Sequence, residues 1–182
     1  MDKETKLKLK AYLDAYKNLK EKKEINENIF DEARKVRLYL ARSQDDYLFA
    51  QAVKKIAEDL DLRDKLNLTE DYQNIYHWLI IISYYSMYHS ATAAIARKNV
   101  KCESHEATIT SLAKHYGTAE ELEFSFIKTL HVTYIDYIAS GREKRRGAQY
   151  NVDKEYSKEE AYEVFENAGK FVKRIEGLLD LD

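Results

Sequence analysis

The chain has 182 residues, a length suited to one domain, 1–182, built on one core. It has five glycines and no proline, where average usage of about 5% would place roughly nine prolines, so the residues that interrupt helices are nearly missing. Lys plus Arg is 30 and Asp plus Glu is 32; a net charge of -2 excludes a global basic field, and any polyanion site must be local.

Residues 3 to 24 form a Lys-rich amphipathic segment with Leu9, Tyr12, Leu13, Tyr16 and Leu19 on one face. Asn26 or Asn28 offers a cap for a second helix through Ile29, Phe30, Ala33 and Val36. Ser43 with Asp46 resembles a capping box for a third, through Tyr47, Ala50, Val53, Ile56, Ala57 and Leu60; the alternative is one bent helix across residue 43. Thr69, followed by Glu70 and Asp71 where the helix dipole favours acids, opens the longest apolar segment. Two stripes run along it: Trp78, Ile82, Tyr85, His89, Thr92 and Ala96, and Ile81, Tyr84, Tyr88, Ala91 and Ile95. That breadth of apolar surface predicts a central helix covered by neighbours. Ser83, His89 and the tyrosine hydroxyls interrupt it, so no membrane span is expected.

Beyond Asn99-Val100-Lys101, Ser104 caps a short helix that ends at Gly117, read as a left-handed C-terminal position. Thr118 pairs with Glu121 as a capping box for a helix continuing to Ala139 and stopping at Gly141. The densest basic cluster, Arg142 to Tyr150, then follows a helix end. Ser157 with Glu160 caps a last helix, whose apolar positions Ala161, Val164, Phe165, Ala168, Phe171, Val172, Ile175 and Leu179 keep helical spacing.

Inward Glu-x-x-His pairs and the His-Glu-x-x-His pattern are both missing, and Cys102 is the only cysteine, so no metal site is expected. No Gly-rich phosphate loop occurs, and no cofactor is expected. The charged run from Lys3 to Lys10 stands where a signal peptide would need an apolar core, and with one cysteine the expected compartment is a reducing cytoplasm. Arg142, Lys144, Arg145 and Arg146 crowd around Glu143, with Tyr150 close behind. Cations after a helix end are stabilised by the dipole without a ligand, but guanidinium groups and a phenol together also suit phosphate and base recognition. His105, in the first turn of a helix, is read as exposed beside free backbone N–H groups that favour an anion. His89, Tyr84, Tyr85 and Tyr88 read first as core side chains, with a role in a site as the alternative.

Trp78, then Tyr84-Tyr85-Ser-Met87-Tyr88-His89, then Ser104-His105, then Arg145-x-x-Ala148-Gln149-Tyr150 before an amphipathic last helix form a succession. It resembles the HEPN family (higher eukaryotes and prokaryotes nucleotide-binding domain) in its small stand-alone prokaryotic type, over about residues 45–180. Gln149 stands where the family motif has an acid. Residues 1–25 form an extra helix ahead of that core. The resemblance implies an all-α, up-and-down bundle of four to five core helices that pairs as a homodimer, with a polar cleft at or near the interface.

The family's ribonuclease branch carries Arg, four to six residues, then His; here the nearest case, Arg97 to His105, has seven residues between. The leading reading is therefore a nucleotide- or RNA-binding module using Arg142, Arg145, Arg146, Tyr150, His105, His89 and Tyr85, with no catalytic residue assigned. Its expected partner is a minimal nucleotidyltransferase in a toxin-antitoxin-like pair. The alternatives are a metal-independent ribonuclease toxin, with Arg145 stabilising the phosphorane and His105 or His89 as acid or base, and a helical interaction protein without catalysis.

Overall fold

With no proline to break them, helices make up most of the described residues. The computed structural model describes residues 3–29, 31–68, 74–119 and 129–179. Among these, seven helices appear in the order α1 (Lys3–Glu21), α2 (Val36–Glu58), α3 (Leu60–Lys65), α4 (Asn74–Ala96), α5 (His105–Tyr116), α6 (Val132–Tyr150) and α7 (Lys158–Leu179). Four two-residue strands join them in pairs. Antiparallel β1 (Ile25–Asn26) and β2 (Lys101–Cys102) set Ile25 opposite Cys102; parallel β3 (Gly117–Thr118) and β4 (Leu130–His131) set Gly117 opposite Leu130. The protein is an all-α helical bundle.

The bundle is organised around α4, whose 23 residues include no acid, lysine or arginine. Such a helix must be covered, and α2, α7, α6 and α5 all pack on it. Leu79, Ile80, Tyr84 and Met87 are wholly buried, as are Ile135 and Ile138 of α6 and Phe171 and Ile175 of α7; each large apolar side chain so buried contributes roughly 1.5–3 kcal/mol. Serines at 83, 86 and 90 let neighbouring helices approach closely. The Ser86 and Ser90 hydroxyls donate back to the carbonyls of Ser83 (2.8 Å) and Met87 (2.9 Å), while the buried Ser83 hydroxyl has no partner among the described residues. No helix among the described residues is long and apolar enough to cross a membrane.

The amphipathic α7 follows its predicted pattern, and its cap is the reciprocal one: Glu160 N–H donates to Ser157 Oγ (3.2 Å) and Ser157 N–H to Glu160 Oε2 (3.0 Å). Ser104 likewise caps α5, accepting from Ala107 N–H at 3.2 Å. Four expectations are corrected. No new helix starts at Ser43: of the two readings, the one helix across residue 43 is the one found, α2 being continuous, and the Ser43 hydroxyl is buried, donating to the Ser86 carbonyl (2.8 Å). Gly117 has φ -64°, outside the left-handed region, and joins β3. Thr118 pairs with His131, so α6 starts at Val132 and not at 118.

The fourth correction matters most for function: α6 does not stop at Gly141 but runs to Tyr150, so the basic cluster is helical. An interior glycine costs about 1 kcal/mol of helix propensity, but here it serves contact, since a Cβ at Gly141 would lie 2.7 Å from Met87 Cε and 3.4 Å from Tyr84 Cδ2. Phe30, Thr69, Glu70, Asp71 and Glu121, which entered the sequence reading as core or capping residues, lie outside the described residues.

Candidate functional site

Because α6 continues past Gly141, its core stripe Val132, Ile135, Ile138 and Gly141 extends by one turn to Arg145. A guanidinium therefore occupies an apolar position, and Arg145 is 9% exposed. Its Nη2 donates to the Tyr85 hydroxyl, and its carbon lies 5.1 Å from the Tyr85 ring centroid and 5.5 Å from that of Tyr150. Nε is buried with no hydrogen-bond partner among the described residues. A buried charged donor left unpaired is costly, and such a group is what an incoming anion would satisfy.

The helix splays the rest of the cluster. Arg142 turns toward the first turn of α5, 3.5 Å from Glu106 Oε2; Lys144 pairs with Glu163 of α7 (2.7 Å); Arg146 points outward to Glu143 (3.5 Å), its side chain 58% exposed. Of the predicted cations, the fold thus brings Arg142 and Arg145 toward His105 and sends Arg146 away. Tyr150 closes α6 at 69% exposure, a lid over Arg145 and not the entry to the last helix.

Opposite Arg145 stand the aromatic side chains of α4. His105 is half-buried, not exposed: its ring stacks on Tyr88 at 4.1 Å, and its Nδ1 lies 2.5 Å from the Tyr84 hydroxyl. Burial, with the Arg145 and Arg142 charges behind it, drives the His105 pKa from 6.5 down to about 4. Burial also raises the Tyr84 pKa, so the phenol keeps its hydrogen. The Tyr84 hydroxyl and Nδ1 of the neutral His105 ring share one hydrogen bond, whose direction is set by which ring nitrogen carries the hydrogen.

His89 is set the other way. Its Nδ1 lies 2.6 Å from Asp46 Oδ2 of α2, and since a carboxylate only accepts, Nδ1 bears the hydrogen. A neutral His89 then presents a lone pair at Nε2. Tyr85 stacks on this ring at 6.0 Å, linking it to Arg145. One buried cation and two imidazoles are gathered among three tyrosines, a set able to hold a phosphate oxygen and a hydroxyl together.

Two side chains escaped the site reading of the sequence. Asp46 was taken as a helix-start residue, and nothing local marks a partner 43 positions away; Glu106 became relevant only once α6 was continuous with its Arg142. Two open grooves lie away from this cluster, one of about 550 Å³ between α1 and α5 and one of about 540 Å³ between α1 and α6. Among the described residues no group of three or more His, Cys, Asp or Glu side chains is placed to hold a metal ion.

Neutral His105 makes stability pH-dependent. Its pKa is lower folded than unfolded, so the unfolded chain binds the extra proton between pH 6.5 and about 4. The stabilisation is complete above pH 6.5 and is lost as pH falls toward 4. His115, lowered mainly by burial, acts in the same direction. Thermal melts across this window are expected to show a falling midpoint on acidification. His105→Gln, which retains a hydrogen-bonding group for Tyr84, should flatten part of that slope; an unchanged slope would refute a neutral buried His105.

Comparison of the sequence with protein-family models gives no match, and comparison with curated proteins gives none either.

Proposed function

We propose that the protein is a nucleotide- or RNA-binding module of the HEPN type, holding a phosphate at Arg145 with Arg142, Tyr85, Tyr150, His89 and His105 around it. The observation that carries this reading is the buried guanidinium with its unpaired Nε beneath an exposed phenol. Tyr150 can stack on a base while Arg145 holds the phosphate by charge-assisted hydrogen bonds. Arg146 contributes long-range attraction, being paired and outward. The partnership with a minimal nucleotidyltransferase in a toxin-antitoxin-like pair rests on the family resemblance; a cytoplasmic setting rests on the single cysteine.

A metal-independent ribonuclease is the second reading, favoured by the Asp46–His89 pair, which leaves an imidazole lone pair free to act as a base near Arg145. Incubating the protein with single-stranded and structured RNA in chelator separates the two. Salt-sensitive binding without product is expected; efficient cleavage lost in His89→Ala would install the second reading instead. Absence of both binding and cleavage would leave the helical interaction protein.

The homodimer belongs to the same proposal. Leu38 and Phe49, eleven residues and about three turns apart on α2, are 70% and 57% exposed, and Trp78 of α4 is 52% exposed. Apolar side chains so placed favour a second copy over water. Light scattering at micromolar concentration is expected to give about twice the chain mass; a clean monomer would remove the interfacial cleft from the reading.

A further inference from the structure

The connection between α4 and α5 joins the two halves of the site, with His89 before it and His105 directly after it. Such connections are ordinarily the loosest parts of a bundle. This one is zipped along its length to residues 24–29. Ile29 N–H donates to the Asn99 carbonyl (2.9 Å), Asn26 and Ile25 pair with Lys101 and Cys102, and Glu103 N–H donates to the Glu24 carbonyl (2.9 Å). Asn28 and Asn99 take positive φ, which asparagine tolerates, and so turn the two segments alongside each other.

The zipper ends on the residue before His105. The Ser104 hydroxyl donates to Glu24 Oε2 at 2.7 Å while accepting Ala107 N–H as the cap of α5. A first helical turn frays unless its free N–H groups are met, so the orientation of His105 depends on this cap. The other end of the zipper is moored to α1. Tyr16 and Leu19 are buried, α1 packs on α5, and Tyr16 and Lys20 both hold the Glu27 carboxylate at 2.5 Å.

We propose that the N-terminal segment is the positioning element of the site, with Glu24 as the residue that fixes Ser104 and so holds His105 in register against Tyr84 and Tyr88. The role goes beyond support of the fold, because Glu24 is a half-buried residue outside the α2–α4–α7 core. Removing its carboxylate leaves that core intact and frees only the turn that carries His105. His105 is held this way whatever the site binds.

The test is a pH titration of the His105 ring signals by NMR in the full chain, without ligand. In Glu24→Ala the midpoint is expected to rise by about one pH unit or more as the ring gains solvent. Glu24→Gln keeps an acceptor oxygen and should titrate like the parent. Ser104→Gly removes the hydroxyl yet keeps a residue tolerated at an N-cap, so it should reproduce the Glu24→Ala shift. The double variant should shift no further than Ser104→Gly, which already removes the contact with Glu24. A folded Glu24→Ala protein whose His105 titrates like the parent overturns the proposal. If Glu24→Ala does not fold, an unmoved His105 in Ser104→Gly overturns it equally. Failure of RNA or nucleotide binding would leave these titrations unchanged, so the two proposals fail separately.

Discussion

Arg145→Ala is expected to weaken binding of a short single-stranded RNA about tenfold or more, the equivalent of the roughly 1.5–3 kcal/mol carried by a charge-assisted hydrogen bond. The bundle should remain folded. Arg145 sits one turn beyond the last apolar residue of the α6 stripe, and its loss removes a buried charge whose Nε has no partner. Arg145→Lys should not restore affinity, because an ammonium cannot reproduce the planar fork between the Tyr85 hydroxyl and the Tyr150 ring. Lys8→Ala, which removes an α1 cation paired with Glu4 and with Asp136 of α6, should change little. Calorimetric titration with melting temperatures alongside reads both affinity and folding. Equal binding by Arg145→Ala and the parent would withdraw the site.

Gly147→Ala should destabilise the protein, although alanine in a helix ordinarily gains about 1 kcal/mol over glycine. The added Cβ would lie 2.2 Å from the Tyr156 hydroxyl and 3.3 Å from its ring carbon. That phenol has nowhere to go. Tyr156 is 3% exposed, its hydroxyl donates to the Lys144 carbonyl (2.8 Å), and its ring meets His77 edge-on at 5.4 Å. Overpacking of this kind costs about 1–3 kcal/mol, and a displaced hydroxyl adds roughly 1 more. The net loss of about 1–3 kcal/mol should lower the melting temperature by roughly 2–4 °C per kcal/mol at this size. In a Tyr156→Phe background, with the offending oxygen gone, most of the penalty should vanish. A stabilised Gly147→Ala would show that the last turn of α6 is looser than described, and with it the setting of Arg145.

The same glycine shows where sequence reasoning reached its limit. Gly147 was expected to lie beyond a helix end at Gly141, because glycine is locally permissive and the charges after Gly141 look like a terminus. What keeps both positions helical is tertiary: Tyr156 fills the space beside one, Met87 and Tyr84 the space beside the other. Only a continuous α6 puts Arg145 in step with Ile135 and Ile138, and that phase identifies it as the buried member of the cluster. By contrast α4 and α7 were legible, since long apolar periodicity is a local property of the chain. So were the Ser104 and Ser157 caps, whose partners lie three residues away. The Asp46–His89 pair and the zipper between residues 24–29 and 99–103 were not, being made across the fold by residues with no local signature.

The measurement that bears most directly on the site is the NMR spectrum of the histidine rings as short single-stranded RNA is added at low salt without metal. The chain has five histidines, and each reports a different place. The signals of His89 and His105 are expected to move saturably, while His131, at the opposite end of α6 from Arg145, stays still. Raising the salt should reverse the change, as it does for phosphate contacts. If His89 and His105 do not respond while the RNA binds and other histidines do, the phosphate site is not at Arg145.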